Sequence, residues 1–128
     1  MKSEKIITRD IIKSRLSDWE NGSISAEELF GWANEKYNDA LNDTLDFNDY
    51  EIDDQNSVSK EVLQYLESMD MNLVVKDDIQ SLVKFLNSPT GQFEKGYAVW
   101  SKYCDSIDYE ERKIKLQRVP MYAKYCRS

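Results

Sequence analysis

Apolar residues recur at three- and four-residue steps along most of this chain, a spacing that commits it to amphipathic helices packed on one another. Ile7, Ile11, Ile12, Leu16 and Trp19 predict a helix over residues 8–20, with Thr8 as its cap and Asn21-Gly22 as its stop. Ser25-Ala26-Glu27-Glu28 then has the form of a capping box. The Ser hydroxyl accepts from the third backbone N–H, Glu28 reaches back, and Ile24 and Leu29 suit a hydrophobic staple. Leu29, Trp32, Ala33 and then Lys36 or Tyr37 carry this second helix forward. Gly31 inside it costs roughly 1 kcal/mol relative to Ala and marks a place where another helix is expected to cross closely.

Val58, Val62, Leu63, Leu66 and Met69 predict a helix from about 57 to 69, opened by Asn56 or Ser57 and broken by Asp70-Met71-Asn72. Ile79, Leu82, Val83 and Leu86 predict another. Asp77 and Asp78 at its start suit the positive end of a helix dipole, and Asn87-Ser88-Pro89-Thr90-Gly91 ends it. Phe93, Tyr97, Trp100, Tyr103, Cys104 and Ile107 mark a long aromatic helix of roughly 92–108 whose stripe reads as core. Leu73-Val74-Val75 is the only β-branched run, too short and isolated to build a sheet. The expected fold is all-α: a single domain over residues 1–128, a bundle of about five helices.

A length of 128 residues suits one core, and three Trp, eight Tyr and four Phe can fill it. A net charge of −7 has the wrong sign for phosphate backbones and anionic membranes, so neither nucleic acid nor membrane is an expected direct partner. The N-terminal residues lack the continuous apolar core of a secretory signal, and no run approaches the roughly 18 apolar residues of a membrane helix. Cys104 and Cys126 are neither a disulfide scaffold nor in metal spacing. A reduced, cytoplasmic protein is expected, with one bridge between these two left open.

The chain has no histidine, which removes the commonest general base and metal ligand, and its four glycines never form a phosphate-cradling cluster. Asp46 to Ser57 departs from a calcium loop, because Glu51 stands where the turn glycine is needed and the terminal bidentate Glu is missing. Cys104, on an aromatic helix face, reads as a small core residue and not as a nucleophile. The expectation is a protein that is not an enzyme and holds no cofactor or metal.

Charge is distributed unevenly. Residues 37–59 contain Asp39, Asp43, Asp46, Asp49, Glu51, Asp53 and Asp54 without a single Lys or Arg, threaded with Tyr37, Leu41, Leu45, Phe47, Tyr50 and Ile52. The helix before this stretch is expected to run on through Leu41 and Leu45 and to loosen from Phe47 to Gln55. Residues 112–128 reverse the sign, with Arg112, Lys113, Lys115, Arg118, Lys124 and Arg127 and no acid. Such a tail either folds back on the acidic face or ends a helix with favourable cations. A nucleic-acid tail with Tyr122 and Tyr125 as stacking platforms is a lesser reading.

Two passages carry a resemblance. Trp19-Glu20-Asn21-Gly22-Ser23-Ile24-Ser25-Ala26-Glu27-Glu28-Leu29-Phe30 resembles the first helix-turn-helix of small bacterial toxin-immunity proteins. Tyr50-Glu51-Ile52-Asp53-Asp54, followed by the helix Val58 to Leu66, is similar to a stretch in the colicin D immunity family, and the two together span roughly residues 16–70. Immunity proteins of contact-dependent growth inhibition systems are an equally good home for a chain of this size. The longer C-terminal half, with its helices from 77 to 108 and its basic tail, departs from the colicin D family. The resemblance implies an acidic helical bundle that binds the basic catalytic domain of a cognate nuclease toxin, typically a tRNase, as a monomer in a 1:1 complex. Carboxylates would then occupy the cleft where substrate phosphates lie.

On that reading Asp49, Glu51, Asp53 and Asp54 make the closest contacts, Asp43 and Asp46 speed association, and Tyr37, Phe47 and Tyr50 anchor the interface. The alternative is a helical protein–protein adaptor in which residues 37–59 are a solvated connector.

Overall fold

In the computed structural model, which describes residues 5–51 and 56–126, the first described element is a strand, β1 (Lys5–Ile7). Thr8 ends the strand and caps α1 (Arg9–Glu20), its Oγ1 accepting from the Ile11 N–H at 3.2 Å. Ile12, Leu16 and Trp19 face the core, while Ile11 is exposed. α1 stops as Asn21-Gly22 predicted. Gly22 takes φ +85°, so that the Ser23 and Gly22 N–H groups donate to Asp18 and Trp19 carbonyls.

The capping box forms as read: the Glu28 N–H donates to Ser25 Oγ at 3.0 Å and the Ser25 N–H to Glu28 Oε1 at 3.1 Å, opening α2 (Ala26–Leu41). α2 ends by the same device as α1, with Asp43 at φ +60° and the Thr44 and Asp43 N–H groups donating to the Asp39 and Ala40 carbonyls. The chain leaves that turn extended, so Leu45 belongs to β2 (Leu45–Phe47) and not to a helix running on. β2 pairs parallel with β1 in the register Lys5↔Leu45, Ile6↔Asp46, Ile7↔Phe47. Ile7, Leu45 and Phe47 point inward, while Ile6 and Asp46 point out. The expectation of no strand is corrected by this pair. Each strand is three residues long, too few to display a period of two, and they meet across some 40 residues of chain.

Ser57 caps α3 (Val58–Glu67) through the Lys60 N–H. A buried turn then places Leu73 at φ +52°, and a short 3₁₀ turn at Lys76–Asp78 leads into α4 (Ile79–Leu86). α5 (Phe93–Asp105), α6 (Tyr109–Leu116) and a 3₁₀ turn at Ala123–Tyr125 follow. The described residues thus form a mostly all-α domain of six helices beside one small sheet. α2 packs on α3, α1 on α3 and α4, and α4 on α5, around Leu16, Leu29, Leu63, Leu66 and Leu82. No helix among the described residues is long and apolar enough to cross a membrane.

Three expectations change. Gly31 has open space where a Cβ would stand, so no helix crosses there. The close approach is at Gly96 in α5, where a Cβ would collide with Ser88 Oγ and crowd Phe85 Cδ1 at 3.1 Å. The aromatic helix is core on one side only. α5 packs chiefly on α4, burying Phe93 and Trp100, while Tyr97 and Val99 are exposed.

Thirdly, among the described residues no hydrogen bond or ion pair ties the basic tail to the acidic stretch. α6 buries no residue, yet Arg112 reaches from it to the fully buried Asp78, with Nη1 and Nη2 at 2.8 and 2.7 Å from the two carboxylate oxygens. Tyr103 donates to the same carboxylate at 2.5 Å, and the Tyr122 hydroxyl donates to the Val74 carbonyl at 2.6 Å. Burial works against the Arg112 charge, but Asp78 and Tyr103 more than offset it and its pKa is raised. The attraction that organises the C-terminal segment is one buried ion pair, not the summed field of residues 37–59. Cys104 and Cys126 are both free, and burial pushes the Cys104 thiol up, as befits a packed small residue.

Candidate functional site

The acidic stretch divides into carboxylates that hold the fold together and carboxylates that face outward. Asp49 belongs to the first group. It is 7% exposed, and its Oδ2 accepts from Arg9 Nε at 2.8 Å and from the Ser59 N–H and hydroxyl at 3.0 Å each. Its Oδ1 accepts from the Ser57 hydroxyl. Desolvation alone would raise the Asp49 pKa, but the Ser57, Arg9 and Ser59 hydrogen bonds outweigh it and hold the carboxyl below the usual range. Arg9 Nη1 donates to the Leu86 and Ser88 carbonyls at the end of α4.

Glu51, half-buried, accepts at Oε2 from the Phe93 N–H at 2.8 Å, where α5 begins without a side-chain cap of its own. Residues 49–51 therefore clamp both ends of the α4–α5 connection. Both Asp49 oxygens are engaged inside the protein, which corrects Asp49 as a closest contact with a partner; Glu51 commits one oxygen, Oε2, to the Phe93 N–H. Asp53 and Asp54 lie outside the described residues.

Asp43 and Asp46 remain on the surface. Asp43 is the left-handed residue that ends α2, a position Asp tolerates better than most. Asp46 is held outward by strand alternation, with Oδ1 accepting from the Phe47 N–H at 2.8 Å. Neither forms an ion pair among the described residues. Tyr50 is 36% exposed and packs edge-on against Phe47 at 6.3 Å between ring centroids. Burial first, and then the neighbouring Asp46 carboxylate, push the Tyr50 phenol up. Phe47 is buried and Tyr37 half-buried against the core, so neither is a free anchor.

Exposed apolar residues do accompany the free acids. Ile6 lies opposite Asp46 in the register and is 48% exposed, and Leu41, two residues before Asp43, is 64% exposed. The result is a smaller patch than the sequence suggested: Asp43 and Asp46 with Ile6, Leu41 and Tyr50. Ile6 escaped the sequence reading because only strand pairing brings it here. No group of three or more Asp, Glu, Cys or His residues among the described residues is placed to hold a metal.

A second concavity, which the sequence did not signal, runs between α4 and α5. It encloses about 370 Å³ and is lined by Phe85, Val99, Trp100 and Tyr103, with Lys84 and Lys95 as its only charged residues. The periodicity that identified both helices reports which faces are apolar, not where two of them fail to close.

No protein-family model, no curated protein and no solved structure matches this chain.

Proposed function

We propose that this chain is an immunity protein that neutralises a cognate toxin, a basic nuclease domain, by laying an acidic surface over its phosphate-binding residues. The observation that carries the reading is the patch in which Asp43 and Asp46, without an ion-pair partner among the described residues, stand among exposed Ile6, Leu41 and Tyr50. A nuclease must hold phosphates with Lys and Arg, and carboxylates offered to those donors gain charge-assisted hydrogen bonds. The same charges steer association, and the apolar residues supply the area that water must leave. The resemblance of residues 16–70 to toxin-immunity proteins supports the same reading, and we place the working surface on the outer face of β2 and its flanks, where Asp46 is exposed and Asp49 is not.

The test is affinity capture with this protein from cells expressing the genes beside its own, eluted by a salt gradient. The expected result is a basic domain whose nuclease activity disappears on adding the protein. Asp43→Asn with Asp46→Asn should lower the association rate about tenfold at low salt and far less at high salt. Tyr50→Ala should act on dissociation instead. Recovery of salt-insensitive partners alone would remove the nuclease reading and leave an adaptor.

A further inference from the structure

The α4–α5 groove combines three properties that a packing defect does not. Its floor is aromatic and ordered: Phe85 and Trp100 stack with ring centroids 6.4 Å apart and planes within 9°. Its walls come close where Gly96 meets Ser88, both of which line it, so tightly that a Cβ at Gly96 would collide with the Ser88 side chain. Its charge is opposite to that of the molecule: Lys84 and Lys95 line it, no acid does, and neither lysine has an ion-pair partner among the described residues. In a chain with 24 acidic and 17 basic side chains, a concavity lined by two cations and no anion is an exception to the overall field.

We propose that this groove binds a small aromatic or branched-chain carboxylate. A volume of about 370 Å³ lies at the lower end of the ~300–1,000 Å³ of small-molecule sites, room for one compact apolar group. That group rests on Phe85, Val99 and Trp100, while the carboxylate takes the ammonium groups of Lys84 and Lys95. Ser81, Ser88 and Gln92 offer further hydrogen bonds at the margin. The net charge of the molecule repels free anions at a distance, so an anion held here must be recognised locally, by fit as well as charge. None of Asp43, Asp46 or Tyr50 lines the groove, and the inference does not rest on the immunity reading.

The probe pair is 3-phenylpropionate and its neutral amide, titrated into the intact protein while backbone and indole N–H signals are followed by NMR. The carboxylate is expected to shift Gly96, Val99 and Trp100 saturably, and to bind about tenfold more tightly than the amide, or ~1.4 kcal/mol. Lys84 and Lys95 are both exposed, and two ion pairs at exposed lysines contribute about that much. In Lys84→Gln with Lys95→Gln, signals remote from the groove should stay in place and the preference for the carboxylate should vanish. Equal binding of acid and amide, unsaturable shifts, or shifts elsewhere on the surface would each overturn the proposal. So would a Lys84→Gln, Lys95→Gln variant that keeps the preference.

Discussion

Asp78 and Asp49 are both buried acids, and each is made tolerable by an arginine from a distant part of the chain together with hydroxyl groups. Asp78 has Arg112 and Tyr103, and accepts also from the Val75 N–H at 3.0 Å; Asp49 has Arg9, Ser57 and Ser59. Removing one partner of such a pair leaves an uncompensated buried charge, which costs far more than the intact pair contributes. Asp78→Ala is therefore expected to lower stability by ~3–5 kcal/mol in urea unfolding, with Arg112→Met close behind. The double substitution Asp78→Leu with Arg112→Met should recover much of the loss, a coupling that a double-mutant cycle measures. A cost below ~1 kcal/mol for Asp78→Ala would show the clasp to be dispensable. Neither pairing was legible in the sequence, since Arg112–Asp78 spans 34 residues and Arg9–Asp49 spans 40. A local clue did exist at Ser57-Val58-Ser59. Two hydroxyls flanking a buried Val at a helix start need an acceptor, and Asp49 is that acceptor.

At the scale of elements, signals whose partners lie within one turn were readable. Thr8 and the Ser25–Glu28 pair cap as their sequence dictates, and the periodicity of α1 to α5 places each helix within a few residues. Packing between elements was not readable, and the glycines measure the difference. Gly31 lies in α2 with nothing near it, so Gly31→Ala should raise stability by ~0.5–1 kcal/mol through helix propensity alone. Gly96 lies in α5 against Ser88 and Phe85, where the same gain meets an overpacking cost of ~1–3 kcal/mol. Gly96→Ala is expected to destabilise by about 1 kcal/mol. Urea midpoints at a common slope test both, and identical responses at the two sites would contradict the close α4–α5 contact.

For the molecule as a whole, the buried ionisable groups define the pH range in which the fold is strongest. Asp49 has its folded pKa depressed. Its contribution is complete above its unfolded value of about 3.9 and is lost as pH falls through the lower, folded one. Tyr103 and Tyr122 act at the other end. Burial, with the hydrogen bond to Asp78, pushes Tyr103 up to about 12, and burial with the nearby acids Glu27, Asp78 and Asp70 does the same for Tyr122. Their contributions are full below about 10, the ordinary tyrosine value, and disappear as pH rises from there through about 12. Ionised Tyr103 would confront the Asp78 carboxylate at 2.5 Å, and ionised Tyr122 would lose the proton it donates to Val74. Tyr103, on α5, shares Asp78 with Arg112, and Tyr122 ties its own segment to Val74, so both help fasten residues 109–126 to the bundle and alkaline unfolding should begin there. Urea midpoints are expected to hold level from about pH 5 to pH 10 and to fall on either side. Tyr122→Phe should flatten part of the alkaline fall while lowering the plateau by ~1 kcal/mol for its lost hydrogen bond. An alkaline limb unchanged by that substitution would mean that the C-terminal segment is not where the fold gives way.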